Sequence, residues 1–347
     1  MPSTLTTGLV NHQVRLAARP DGLPTDANWQ FTEEPVAEPP EGGVLVKVLA
    51  LSLDPAMRGW MNEGKSYIPP VGLGEVMRAG GIGVIAASKA PAFAVGDTVT
   101  GSPGVQEYWA VGPDQLKRSG LAKIDLRLGS VSQWLNVLGM PGMTGYFGLM
   151  DVGQPKAGET LLVSGAAGAV GQTVGQLARI KGLRAVGIAG GRAKCEWVVK
   201  ELGFDACIDY QAMGRDTGQL IKALRAACPD GIDVYFDNVG SWITDAVLPL
   251  INFKARIAIC GMIAEYNLEK PEMAPRITRH LLLESDTITV GGINQNICHA
   301  LVARAVDPGI DLRTMRPSPP QPGDIRGVDM NGFGGSHVIR LISRVYG

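Results

Sequence analysis

Cysteine and histidine are scarce in this chain of 347 residues, with five and four respectively, and residues 1–194 contain no cysteine and one histidine, His12. A zinc site needs three or four thiolate, imidazole or carboxylate ligands, usually including Cys or His. The first half is therefore expected to lack one, and any redox chemistry to run without a metal. Cys195, Cys207, Cys228, Cys260 and Cys298 are odd in number and form no Cys-x-x-Cys pair, so they read as reduced core thiols rather than a disulfide scaffold. Charge is balanced, with 32 Lys and Arg against 33 Asp and Glu, and no basic patch suggests a nucleic-acid partner. No apolar run approaches the roughly 20 residues that span a bilayer. The start, Met1-Pro2-Ser3-Thr4, lacks the basic-then-apolar pattern of a signal peptide. The expectation is a cytoplasmic protein with no membrane partner.

What the sequence has in quantity is glycine, 46 in all, and one arrangement of it carries chemistry. Thr160-Leu161-Leu162-Val163-Ser164 reads as a buried strand, Gly165 to Gly171 as a glycine-rich turn, and Gln172 to Lys181 as an amphipathic helix. Glycines at 165, 168 and 171 allow a tight turn, close approach of backbone to a pyrophosphate, and close packing of helix on strand. The helix N-terminus offers unpaired N–H groups to the anion. This is the form of a dinucleotide cradle.

The next strand decides between the two nicotinamide dinucleotides. NAD sites place a carboxylate about 20 residues past the glycines to hold the ribose 2′-hydroxyl. Here no Asp or Glu occurs between Glu159 and Glu196. The strand Arg184 to Ala189 runs instead into Gly190-Gly191-Arg192-Ala193-Lys194, which puts two cations where a 2′-phosphate would lie. Charge-assisted hydrogen bonds favour that phosphate, so NADPH is the expected cofactor.

Around the cradle, two regimes divide the chain. Up to about residue 125 it is rich in Pro and Gly with short β-type runs at Val44–Leu49, Ile82–Ala86, Asp97–Thr100 and Glu107–Val111, as in a barrel or sandwich. From about Ser130, apolar strands at 161–163, 184–188, 206–208, 233–236, 256–260 and 287–290 alternate with helical stretches at 194–202, 219–227 and 242–248. That alternation implies a doubly wound parallel sheet covered on both faces, an α/β fold. Pro317, Pro319, Pro320 and Pro322 exclude helix interior and central strand there, and an extended segment is expected.

Several ordered motifs carry a family resemblance: Ser52-Leu53-Asp54-Pro55-Ala56-Met57-Arg58-Gly59, Val95-Gly96-Asp97-Thr98-Val99, Leu138 to Tyr146, Ala166 to Gly171, Phe236-Asp237-Asn238-Val239-Gly240, and Cys260-Gly261 with Tyr266-Asn267. Over about residues 40–293 the chain resembles the zinc-independent branch of the medium-chain dehydrogenase/reductase superfamily. Within it, the match is to the leukotriene 12-hydroxydehydrogenase, prostaglandin reductase and double-bond reductase group, which includes curcumin-reductase-like enzymes. The resemblance implies a GroES-like β-barrel domain over residues 1–130, a Rossmann NADPH-binding domain over 131–293, and a return to the first domain over 294–347.

By position, it implies that Gly168, Ala169, Val170 and Gly171 touch the pyrophosphate and that Lys194 and Tyr210 hold the 2′-phosphate. Asn238, the loop from Cys260 and Gly261 to Tyr266, and Gly292, Ile293 and Asn294 would line the ribose and nicotinamide. The last quarter departs from the family. Gly292 lacks the usual ring, a proline cluster replaces a long helix, and the Gly334–Arg340 ending is a loose echo. Divergence and a disturbed reading frame both fit.

The group's reaction reduces the carbon–carbon double bond of a hydrophobic α,β-unsaturated ketone or aldehyde. Hydride adds at the β-carbon, and the protein supplies orientation and a hydrogen bond to the oxygen where charge develops. Tyr266 is the first candidate donor; packing on the cofactor is the other reading. Tyr67, placed by the resemblance at the mouth of the substrate cleft, is the second, with an ordinary barrel-edge tyrosine as its alternative. Asp237 has two readings, ligand group or helix cap. The wider alternatives are a quinone reductase of the zeta-crystallin type and a non-catalytic NADPH-binding protein. A homodimer is compatible with all of these.

Overall fold

The β-type runs of the first regime pair antiparallel, and those of the second pair parallel. The structure is a computed structural model that describes residues 8–64, 66, 68–268, 289–292 and 328–329. The chain divides into two units, Met1–Leu135 with Pro319–Gly347, and Asn136–Ser318.

In the first unit, β1 (Val10–Leu16) and β2 (Trp29–Pro35) pair antiparallel with His12 opposite Glu33. Sequence periodicity misses both, because β1 carries two buried polar side chains, Asn11 and Gln13, where alternation calls for apolar ones. Asn11 is satisfied there: its Oδ1 accepts the Tyr108 N–H at 2.9 Å and its Nδ2 donates to the Tyr108 carbonyl at 3.0 Å.

A second sheet is centred on β3 (Val44–Leu51), whose near-continuous burial suits a strand flanked on both edges. After the short helix α1 (Ala56–Trp60), β4 (Gly81–Ser88) pairs with β3, β5 (Thr98–Gly101) with β4, and β6 (Tyr108–Val111) with β3. The short helix α2 (Pro113–Leu116) leads to β7 (Ala122–Lys123), which pairs with β5, and α3 (Val131–Leu135) ends this part of the chain. Leu16, Leu51, Met57, Met61 and Met77 form one core, and Val44, Val46, Ile85, Val99 and Val111 another.

The second unit opens with α4 (Met140–Phe147) and then alternates β8 (Thr160–Ser164), α5 (Ala169–Ile180), β9 (Arg184–Ala189), α6 (Arg192–Lys200), β10 (Ala206–Asp209), α7 (Thr217–Ala227), β11 (Ile232–Asp237), α8 (Ser241–Val247), β12 (Ile251–Ile259) and β13 (Thr289–Gly292). The six strands lie in the order β10-β9-β8-β11-β12-β13, all parallel. Successive residues of β8 serve opposite faces: Leu161 and Val163 join a core with Val174, Leu177, Phe204 and Phe236, while Leu162 joins one with Val186, Ile188, Leu224 and Val247. Burial on both faces is why these strands read as continuous apolar runs.

Burying each such Leu or Val contributes about 1.5–3 kcal/mol. On α5 the buried positions 171, 174, 175 and 178 form one stripe at helical spacing, and Ile180 lies outside it, half exposed. The element ends shift slightly from expectation: β12 starts five residues before Arg256, and β13 runs two residues past Val290. A last short strand, β14 (Val328–Asp329), pairs antiparallel with β3 at Leu51 and Ala50. Among the described residues, no helix is long and apolar enough to cross a membrane. The expected extended segment at Pro317–Pro322, Tyr67, Ile293, Asn294 and the Gly334–Arg340 ending lie outside the described residues.

Candidate functional site at the strand ends

In the second unit, the sheet order turns around between β8 and β11, the first and fourth strands in chain order. Open α/β sheets bind ligands outside the carboxyl ends of the strands at such a switch point. Every candidate residue inside the described region follows one of those ends. Gly165–Gly171 follow β8, Gly190–Lys194 follow β9, Tyr210 follows β10, Asn238 follows β11, Cys260–Tyr266 follow β12, and Gly292 closes β13 opposite Ile259.

Two glycines are required at the cradle. Gly165 has φ +62, which a side chain disfavours, and a Cβ on Gly171 would lie 2.3 Å from the Gly165 carbonyl oxygen. Gly168 is the exposed N-cap of α5, and no side chain caps that end. The N–H groups of Ala169, Val170 and Gly171 therefore begin a helix of 12 residues whose positive pole faces outward without a competing side-chain acceptor. This is a fit for a pyrophosphate.

At the end of β9 the two expected cations separate. Arg192 donates through Nε to Glu196 at 2.7 Å along the outer face of α6, and Glu196 also accepts from Lys200, so Arg192 takes part in an exposed surface pair. Lys194 is exposed and has no ion pair among the described residues. The phenol edge of Tyr210 lies against Gly190, and its ring meets Trp242 edge-on at 6.4 Å. An acid is nearby after all: Asp209, at the end of β10, accepts the Gly191 N–H at 2.7 Å and the Gln211 N–H at 3.0 Å. Counting acids between the glycines and Glu196 misses it, because β10 brings it in from a later strand.

At the switch point Asp237 is 3% exposed and its carboxylate is fully engaged. Its Oδ1 accepts from Ser164 Oγ at 2.9 Å, Val239 N at 3.0 Å and Gly240 N at 2.9 Å, and its Oδ2 from Thr244 Oγ1 at 2.6 Å. It bonds the N–H groups of the turn before α8 and the Thr244 hydroxyl within it, while the N-cap of α8 itself, Gly240, has no side-chain cap. Asn238 is fixed twice, with its backbone N–H on Ser164 Oγ at 2.9 Å and its side-chain amide on the Ser164 carbonyl at 2.7 Å.

The following loop hangs from the same residues. Cys260 and Gly261 N–H groups donate to the Asp237 carbonyl at 2.8 and 3.1 Å, and Ala264 N–H donates to Val239 at 3.2 Å. Tyr266 folds back within it, its hydroxyl oxygen accepting the Met262 N–H at 3.2 Å and lying against Gly261. Cys260 is half-buried and packs on the apolar core below. Ser164 and Thr244 are the participants that sequence reasoning missed. Each is a lone hydroxyl in an apolar stretch, and only the fold brings it to Asp237.

A family model described as the N-terminal domain of oxidoreductase matches residues 12–119, and one described as zinc-binding dehydrogenase matches residues 169–295. The NADPH-dependent curcumin reductase of Escherichia coli is 46% identical over 257 residues, covering 74% of this chain and 72% of that one. The chain belongs to the medium-chain dehydrogenase/reductase superfamily. Within the superfamily it falls in the zinc-independent reductase group.

The NADP(+)-dependent 2-alkenal reductase of Nicotiana tabacum is 40% identical and covers 76% of this chain and 75% of its own. The crystal structure of CurA from Vibrio vulnificus in complex with NADPH superimposes with a TM-score of 0.72 at 38% identity, over 84% of this chain and 88% of that one. One superfamily model carries zinc in its description, yet no cluster of three or more His, Cys, Asp or Glu among the described residues could hold a metal ion.

Proposed function

We propose that the protein is an NADPH-dependent oxidoreductase that reduces the carbon–carbon double bond of hydrophobic α,β-unsaturated ketones or aldehydes. The observation that carries this reading is the α5 N-terminus without a side-chain cap at the switch point, with exposed Lys194, which has no ion pair among the described residues, beyond the second strand. The NADP-linked names of its superfamily relatives, among them a curcumin reductase and a 2-alkenal reductase, support it.

In this reading Gly168, Ala169, Val170 and Gly171 hold the pyrophosphate, and Lys194 with Tyr210 holds the 2′-phosphate. Asn238, Cys260, Gly261, Tyr266, Gly292, Ile293 and Asn294 line the ribose and nicotinamide. NADPH, when bound, supplies the hydride. The chain's own residues orient the acceptor and stabilise charge on its oxygen, with Tyr266 as the hydrogen-bond donor and Tyr67 as the second candidate. Met262 donates to the Tyr266 oxygen, so that bond does not use the phenol's own proton.

The unit containing residues 1–135 supplies the catalytic domain, and the enzyme works in the cytoplasm as a homodimer. Light scattering on the purified protein checks the dimer. Activity is tested by following NADPH absorbance across a panel of enones, alkenals and quinones. Oxidation with enones or alkenals is expected, and no oxidation with any of them would overturn the reading.

A further inference from the structure

We propose that Thr244 is a positioning residue for the cofactor site, acting through Asp237. The inference rests on the assignment of Asn238 and the Cys260–Tyr266 loop to the cofactor.

The direction of the hydrogen bonds follows from proton counting. An ionised carboxylate only accepts, so Thr244 spends its one hydroxyl proton on Asp237 Oδ2 at 2.6 Å, and Ser164 spends its own on Oδ1 at 2.9 Å. In the 3.2 Å contact with Thr244 the fully buried Tyr235 is then the donor, and its hydroxyl also interacts with Asp237 and Ser164. Ser164 Oγ, its proton used, accepts the Asn238 N–H. The chain runs one way, from Tyr235 to Thr244 to Asp237, with Ser164 joining from β8.

Its consequence lies in what Asp237 carries. The same residue holds the turn before α8 through the Val239 and Gly240 N–H groups and holds the Cys260 and Gly261 N–H groups on its main-chain carbonyl. Asn238, through Ser164, and the loop after β12, through the main-chain carbonyl, therefore both take their positions from Asp237. Thr244 is the donor that orients the oxygen not already used by Ser164 and the backbone. Removing that hydroxyl leaves Oδ2 buried without its donor, and the carboxylate must rotate to compensate. Rotation weakens the Oδ1 bond to Ser164 Oγ, the atom that accepts the Asn238 N–H.

The test compares wild type, Thr244→Val, Thr244→Ser and Tyr235→Phe by NADPH calorimetry, steady-state kinetics and thermal melting. Thr244→Val is expected to raise the Kd and KM for NADPH roughly tenfold, with kcat at saturating NADPH within about twofold of wild type. Thr244→Ser restores the hydroxyl and should return Kd to within about threefold of wild type. Tyr235→Phe keeps the Thr244 donor, so its effect on Kd is expected to be smaller than that of Thr244→Val.

A folded Thr244→Val with wild-type Kd and KM overturns the proposal. So does Thr244→Ser binding as poorly as Thr244→Val. If Thr244→Val does not fold, Thr244→Ser and Tyr235→Phe decide alone. Kd within about threefold of wild type for the first, with a measurable rise for the second, supports the chain, and the reverse order overturns it. Wild-type protein that fails to bind NADPH counts against the proposed function instead, which keeps the two failures apart.

Discussion

Ser164 Oγ lies 2.9 Å from Asp237 Oδ1 in the buried centre of the parallel sheet. The two residues end β8 and β11, the strands between which the sheet order reverses. This bond ties the glycine turn on one side of the switch point to Asn238 and the loop after β12 on the other. A cofactor laid across the strand ends meets both sides at once.

The glycine turn gives the first prediction. Gly171→Ala puts a methyl 2.3 Å from the Gly165 carbonyl oxygen and 2.8 Å from the Ala166 Cα, neither of which can give way as a flexible side chain would. We expect a loss of about 1–3 kcal/mol of stability and at least a tenfold rise in the NADPH Kd. Chemical denaturation and calorimetry measure the two.

Tyr266→Phe separates donor from packing residue. The ring survives, while the hydroxyl, its approach to Gly261 and the Met262 bond are lost. As the donor, Tyr266 accounts for about 100-fold in kcat with an enone, at nearly unchanged NADPH affinity. Full turnover in the variant would assign the phenol to closing the loop.

Arg256 on β12 is bonded to Glu159, to the Gly153 carbonyl at 2.8 Å and to the Gln154 carbonyl at 3.0 Å, with side-chain exposures of 13% for Arg256 and 18% for Glu159. Arg256→Ala strands a mostly buried carboxylate and is expected to cost about 3 kcal/mol of stability. Its guanidinium is held by Gly153, Gln154 and Glu159, which precede β8, away from the strand ends that carry the candidate cofactor residues, so the NADPH Kd of the folded variant should be unchanged.

Much of this was legible in sequence. The strand–turn–helix of residues 160–181 and the alternation after Ser130 read correctly, because strands buried on both faces leave continuous apolar runs and amphipathic helices a helical period. β1 did not, since Asn11 and Gln13 are buried and paired with groups almost a hundred residues away. The Tyr235–Thr244–Asp237–Ser164 chain was invisible for the same reason: its members share no spacing, only a place in the sheet. Arg192 and Lys194 read alike in sequence, and only α6 shows that Arg192 lies one turn from Glu196.

His12 gives a pH prediction in the first unit. Its Nδ1 lies 2.6 Å from Glu107 and its Nε2 3.6 Å from Glu33, and the Glu107 hydrogen bond, opposed in part by burial, raises its pKa above 6.5. A raised folded-state pKa means the contribution is fully present below pH 6.5 and is lost as pH climbs through the folded value. With 44% of the side chain exposed, that contribution is below about 1 kcal/mol. An NMR titration of the His12 ring should give a pKa above 6.5 that moves back toward it in Glu107→Gln.

Lys194, the cation after β9 that has no ion pair among the described residues, is proposed to select the phosphorylated coenzyme, and kcat/KM for NADPH against NADH in wild type, Lys194→Ala and Arg192→Ala tests this most directly. We predict a clear NADPH preference in wild type, a fall in that preference by roughly 10–100-fold in Lys194→Ala, and little change in Arg192→Ala. Equal efficiency with the two coenzymes in wild type, or an undiminished preference in Lys194→Ala, would contradict it.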